Sequence, residues 1–123
     1  MGFMDKIFGG KEQNENSNFW HQLNSEEDLK TAVNESYERK VVLFKHSTRC
    51  FISKTVLRNF ENEAAASTKD VSYYFLDLLK NRALSNMIEE KFDVVHQSPQ
   101  MIVLENGEVT EHASHQSISL SLL

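Results

Sequence analysis

Apolar residues along this chain fall into runs of two kinds. Leu29, Val33 and Tyr37 recur at i, i+4 and i+8 behind Ser25 and Asp28, a pair that resembles a capping box, and predict a first helix over 25–38. The stretch 41–44 is instead continuous and led by β-branched residues, the pattern of a strand covered on both faces and therefore central in a sheet. Ile52, Val56, Phe60 and Ala64, with Leu57, return to helical spacing and predict a helix over 50–66, with Ser47 and Thr48 as cap residues before it. A strand over 71–78, a helix over 81–91 and a strand over 101–104 follow, with a short first strand expected within 19–23. Asn106-Gly107 is a strong hairpin signal and joins the strand at 101–104 to one at 108–113. Ser114 is placed to cap a last helix carrying Ile118 and Leu120 or Leu123.

Strands alternating with helices and closing in a hairpin give an α/β fold. Right-handed crossovers make the first strands parallel and the hairpin adds an antiparallel pair, so a central mixed sheet of four to five strands with helices on both faces is expected. Residues 9–17 are polar and without period, so 1–17 read as a tail and linker and 18–123 as one domain.

Composition narrows what such a domain does. With 123 residues, 40% of them hydrophobic, the chain is long enough to bury a core without staples. A formal charge of −5 with no basic block speaks against nucleic acid or an anionic membrane as partner. The tail lacks the apolar stretch of a signal peptide, has Lys6 where a myristoylation motif needs Ser or Thr, and no run approaches the ~20 apolar residues of a membrane span. One cysteine permits no internal disulfide and fits a reducing compartment, the cytoplasm. The five histidines are not paired with acidic residues at metal-ligand spacing, so no metal is expected.

That cysteine is the candidate for chemistry. Cys50 follows a buried strand and cap residues, at the predicted start of a helix beyond the carboxyl edge of the sheet, where α/β folds place reactive groups. Free N–H groups and the helix dipole favour thiolate there, Arg49, His46 and Lys45 add positive charge nearby, and a thiolate is the species that attacks a disulfide. A lone cysteine is ordinarily a buried, inert side chain; its placement here favours the reactive reading. His46 is weighed as base or thiolate stabiliser against a local hydrogen-bonding role, and Arg49 as contact to an anionic thiol against a solvated side chain. Ser53, three residues after Cys50, bonds the thiolate or the helix backbone, and Asp77 ends a strand rather than carrying a proton. Pro99 is the only proline and stands at a strand entrance after Ser98.

A cysteine opening the second helix and a proline before the hairpin resemble the thioredoxin fold. More narrowly, residues 45–53 (KHSTRCFIS) and 96–100 (HQSPQ) resemble the two signature segments of the YtxJ-like monothiol bacilliredoxins, as do Leu76-Asp77, Asn81-Arg82 and Ser114-His115, a likeness that covers about residues 18–120. The resemblance implies an oxidoreductase that removes bacillithiol, as co-substrate, from mixed disulfides on protein cysteines, with no bound cofactor. It makes Cys50 the nucleophile and Pro99 a cis-proline shaping the thiol groove, supported by Ser98, Thr48, Arg49, Ser53 and His46. Its partners are then S-bacillithiolated proteins and a low-molecular-weight thiol. Phe51 departs from the family, where proline is usual, restoring a backbone donor and adding an aromatic surface; Gln116 replaces an aromatic. A monothiol glutaredoxin-type protein is the rival enzyme, keeping the same Cys-to-Ser spacing but expecting a Gly-Gly-x-Asp segment absent here. A non-catalytic thioredoxin-like binding module is the rival from another class.

Overall fold

The computed structural model describes residues 20–47, 51–67 and 69–123, those at 51, 52, 116 and 120 by their backbone. In chain order the elements are β1 (Trp20–Gln22), α1 (Glu26–Glu35), β2 (Lys40–His46), α2 (Phe51–Ala65), β3 (Val71–Asp77), α3 (Arg82–Phe92), β4 (Gln100–Glu105) and β5 (Glu108–Ser114), followed by 3₁₀ turns at His115–Ser117 and Leu120–Leu122. The strands form one five-stranded sheet in the order β1-β3-β2-β4-β5. The first three are parallel; β4 runs antiparallel to β2 and pairs with β5 in the hairpin. The expected mixed α/β sheet is observed.

Alternation along β2 assigns the two layers. Val41 and Leu43 turn to one face, where Leu29 and Ala32 of α1 and Leu84 and Ile88 of α3 cover them. Val42 and Phe44 turn to the other, against Val56, Phe60 and Ala64 of α2. Every residue from Val41 to His46 is buried, as a strand third of five and covered twice must be. The α2 face is built on aromatics: Trp20 lies 5.7 Å from Phe44, 6.1 Å from Phe60 and 5.9 Å from Tyr73 between ring centroids, and Phe44 lies 5.3 Å from Phe60. Among the described residues no helix is long and apolar enough to cross a membrane.

Two local expectations are corrected. The first helix stops at Glu35 instead of 38, and Tyr37, expected on its buried face, is 62% exposed. The cause is the hairpin: Ser36 gives its carbonyl to Asn106 N–H (2.7 Å) and its hydroxyl to Gly107 N–H (2.9 Å), so the chain leaves the helix to hold the turn. Asn106 and Gly107 both have positive φ, 54° and 80°, as a two-residue hairpin of this kind requires, and the Tyr37 ring sits where a Cβ on residue 107 would fall. The α1 start is as expected in part: Ser25 Oγ accepts from Asp28 N–H, but the Asp28 carboxylate reaches back to Asn24 N–H instead of Ser25. The last helix is replaced by the two 3₁₀ turns, and Ser114 makes no side-chain cap; Ile118 still packs in the α2-side core.

Phe60→Ala should cost about 3–5 kcal/mol in urea denaturation, because Phe60 is 1% exposed and touches three rings that cannot all collapse into the space it leaves.

Candidate functional site at the carboxyl edge of the central strand

Three chain segments meet where β2 ends. β2 and β3 are parallel and in register to their last residues, His46 opposite Asp77. Because β4 is antiparallel to β2, it begins at this same edge, Gln100 opposite Lys45, and Pro99 enters it here. The Ser98–Pro99 peptide bond is cis and Pro99 is buried. The connection from β2 to α2 starts from the same edge and contains Thr48, Arg49 and Cys50, which lie outside the described residues; α2 begins at the next residue, Phe51.

The last two residues of β2 turn to opposite faces, and both are polar and buried: Lys45 is 0% and His46 3% exposed. His46 faces α2. Its Nδ1 lies 2.8 Å from Ser53 Oγ, which also accepts from Ser47 N–H at 3.3 Å, and its ring lies 5.5 Å from Phe75. Ser53 thus ties the first turn of α2 to the end of β2 across the segment that holds Cys50. Burial pushes the His46 pKa below its usual value, with Asp77 acting against that and Lys54 with it. The imidazole is neutral at pH 7 and offers hydrogen bonding there, not charge. Asp77 itself takes Leu79 N–H on its carboxylate at 3.0 Å and turns the chain out of β3, the strand-ending part expected of it. Ser98 Oγ is buried and has no hydrogen-bond partner among the described residues.

On the other face, Lys45 forms a polar cluster that pattern reading did not assemble. Lys45 Nζ lies 3.3 Å from the Ser85 carbonyl of α3 and 3.3 Å from His96 Nδ1, and Ser85 Oγ lies 3.2 Å from the same nitrogen. An ammonium only donates, so Nδ1 is the acceptor and the neutral His96 ring carries its proton on Nε2. His96 N–H donates to Glu89 (3.1 Å), and Gln100, 1% exposed, donates through Nε2 to the Val95 carbonyl (2.9 Å). Burial drives the Lys45 pKa down to about 8, partly offset by Glu89. Burial and the Lys45 charge lower that of His96. The sequence signal was available: position 45 extends the Val41, Leu43 alternation, so a lysine there had to be buried.

Of the expected site residues, the structure therefore brings Pro99, Ser98, His46 and Ser53 to one edge of the sheet.

A lysine whose pKa falls from 10.5 to about 8 on folding makes the folded state release a proton that the unfolded chain keeps between those values. Stability contributed at this site is accordingly lowest below pH 8 and rises toward pH 10.5, by at most about 3 kcal/mol. Lys45→Met should raise stability at pH 7 by about 1–3 kcal/mol, with the gain over wild type shrinking as pH rises through that window, measured by urea denaturation.

The sequence pattern of the family described as monothiol bacilliredoxin BrxC matches residues 21–123. A solved structure provisionally described as an oxidoreductase with a thioredoxin fold superposes with a TM-score of 0.77 at 28% identity, over 89% of this chain and 94% of that one. Thioredoxin from Schistosoma mansoni superposes at 0.64 with 19% identity, over 78% and 82% of the two chains. Thioredoxin from Trypanosoma brucei brucei does so at 0.63 with 20% identity, over 77% of each. These last two likenesses establish the thioredoxin fold alone.

Proposed function

The chain belongs to the monothiol bacilliredoxin family, and from that premise we propose that it removes bacillithiol from mixed disulfides on protein cysteines, with Cys50 as nucleophile. The observation that carries the reading is a juxtaposition. The connection holding the only cysteine leaves β2 at the edge where the cis Ser98–Pro99 peptide enters β4.

The Cys50 thiolate attacks the bacillithiol sulfur of the mixed disulfide. The S–S bond breaks, the target cysteine departs as thiolate and takes up a proton, and Cys50 is left in a disulfide with bacillithiol. A second thiol from outside the chain then attacks that disulfide and restores the Cys50 thiolate, since the chain has no second cysteine to do so. The groups beside this exchange are hydrogen-bonding ones: the His46–Ser53 bond holds the start of α2, and the Ser98 hydroxyl lies buried beside Pro99 with no hydrogen-bond partner among the described residues. Ser53 stands at the position of a resolving cysteine in dithiol enzymes, cannot do that work, and bonds His46.

Mixing the reduced protein with a bacillithiol-modified protein should move the bacillithiol mass onto Cys50 as a single adduct, with an equal amount of substrate thiol released. Cys50→Ser should take up none. No adduct on the wild-type protein, or equal rates with a glutathione-modified substrate, overturns the assignment to bacillithiol.

A further inference from the structure

A lysine with no solvent exposure, at the end of the central strand, lowers the stability of the fold and calls for a reason. Its contacts supply one. Among the described residues Lys45 makes no ion pair at contact distance; its partners are a helix carbonyl and the imidazole of His96. His96 lies three residues before Pro99. Residues 95–97 are otherwise held by Ser85 Oγ on the same His96 Nδ1, by Glu89 on the His96 N–H, and by Gln100, whose side chain meets the Val95 carbonyl and the Gln97 N–H; Gln100 is the cross-strand partner of Lys45. Among the described residues these side-chain anchors come from α3 or from the β2–β4 pair, and Lys45 is the central-strand side chain that reaches His96.

We infer that Lys45 is a positioning residue: through the His96 imidazole it clamps the loop bearing Pro99 onto the end of the central strand, and so sets where a disulfide substrate docks. Lys45 faces α3, whereas His46 and Ser53 face α2, so the clamp bears on the loop before Pro99 and not on the start of α2. The hydrogen bond to His96 is charge-assisted while Lys45 is protonated and weakens when it is not. The other charged groups acting on the pair are Glu89 and Arg82, both from α3. For its kinetic consequence the inference rests on the thiol-exchange reading; for the clamp itself it does not.

The test has two independent arms. In an NMR titration of labelled protein, the amides of His96 and Gln97 should shift with a midpoint near pH 8, where Lys45 loses its proton. The step should persist in Cys50→Ser, which removes the thiol as a second titrating group, and vanish in Lys45→Met. A step that survives Lys45→Met, or that is absent from the wild type, overturns the clamp whatever the enzyme's activity. In the second arm, Lys45→Met should raise KM for a bacillithiol-modified protein about tenfold with kcat within about twofold. The pH profile of Cys50 alkylation by iodoacetamide should superimpose on that of the wild type. His96→Asn, which keeps an acceptor near Nδ1, should retain most of the affinity that His96→Leu loses. A displaced alkylation profile would make Lys45 a tuner of the thiolate, and an unchanged KM would make it structural only; either result sinks the inference. Should the wild type fail to act on bacillithiol disulfides at all, the functional reading falls while the titration still decides the clamp.

Discussion

A strand covered by helices on both faces leaves no water for polar side chains, and β2 ends in two of them. Lys45 and His46 point to opposite layers at the last two positions of the central strand, so each must find its partners inside the protein. His46 finds Ser53 and thereby fixes the start of α2; Lys45 finds His96 and Ser85 and thereby fixes the approach to Pro99. The start of α2 and the loop into Pro99, the two parts between which the proposed function puts its thiol exchange, are tied to one strand by adjacent residues. Satisfying buried polarity and placing the site are here the same task.

The antiparallel hairpin makes this convergence possible. Had β4 joined β2 in parallel, its carboxyl end would lie at the site edge and the residue entering it would lie at the far edge of the sheet. Pairing Lys45 with Gln100 in an antiparallel ladder brings the strand entrance, and with it the cis peptide, to where β2 ends. Asn106 and Gly107 set that direction by adopting the positive φ of a tight hairpin, and Ser36 locks the turn to α1 at the opposite edge. A turn at the far edge of the sheet thus decides that β4 is entered where β2 ends.

Much of this was legible in the chain itself because the controlling signals are local and strong. A continuous apolar run marked β2, helical spacing marked α2, and Asn-Gly marked the hairpin, each a consequence of backbone geometry that neighbours seldom override. What was not legible depended on contacts between distant segments. Tyr37 satisfies the helical period but is drawn off the helix because Ser36, just before it, is needed 71 residues away at Gly107. The last helix was expected from Ser114 and a few leucines; a segment so short gains little from propensity, and 3₁₀ turns bury Ile118 without it. The alternation along β2 marks Lys45 as buried, but nothing local names His96, 51 residues away, as the partner the fold sets 3.3 Å from it.

The energetics of the two polar residues differ in a way that bears on what the site is for. A neutral His46 bonded to a serine is compatible with a stable core at neutral pH. A lysine that is fully buried weakens the core, since its charge is held against its own desolvation and, among the described residues, Glu89 is the charged group that offsets it. An apolar side chain of similar length would fill the same space at less cost. Groups that weaken the fold while standing at the rim of a reactive edge are where local stability and function part company. On the proposed function the lone cysteine adds the matching constraint from the chemical side: without a second thiol in the chain, each cycle brings two molecules in succession to the same sulfur. On that reading, a buried cation anchoring the proline loop fixes the approach for both from beneath, without consuming the surface they need.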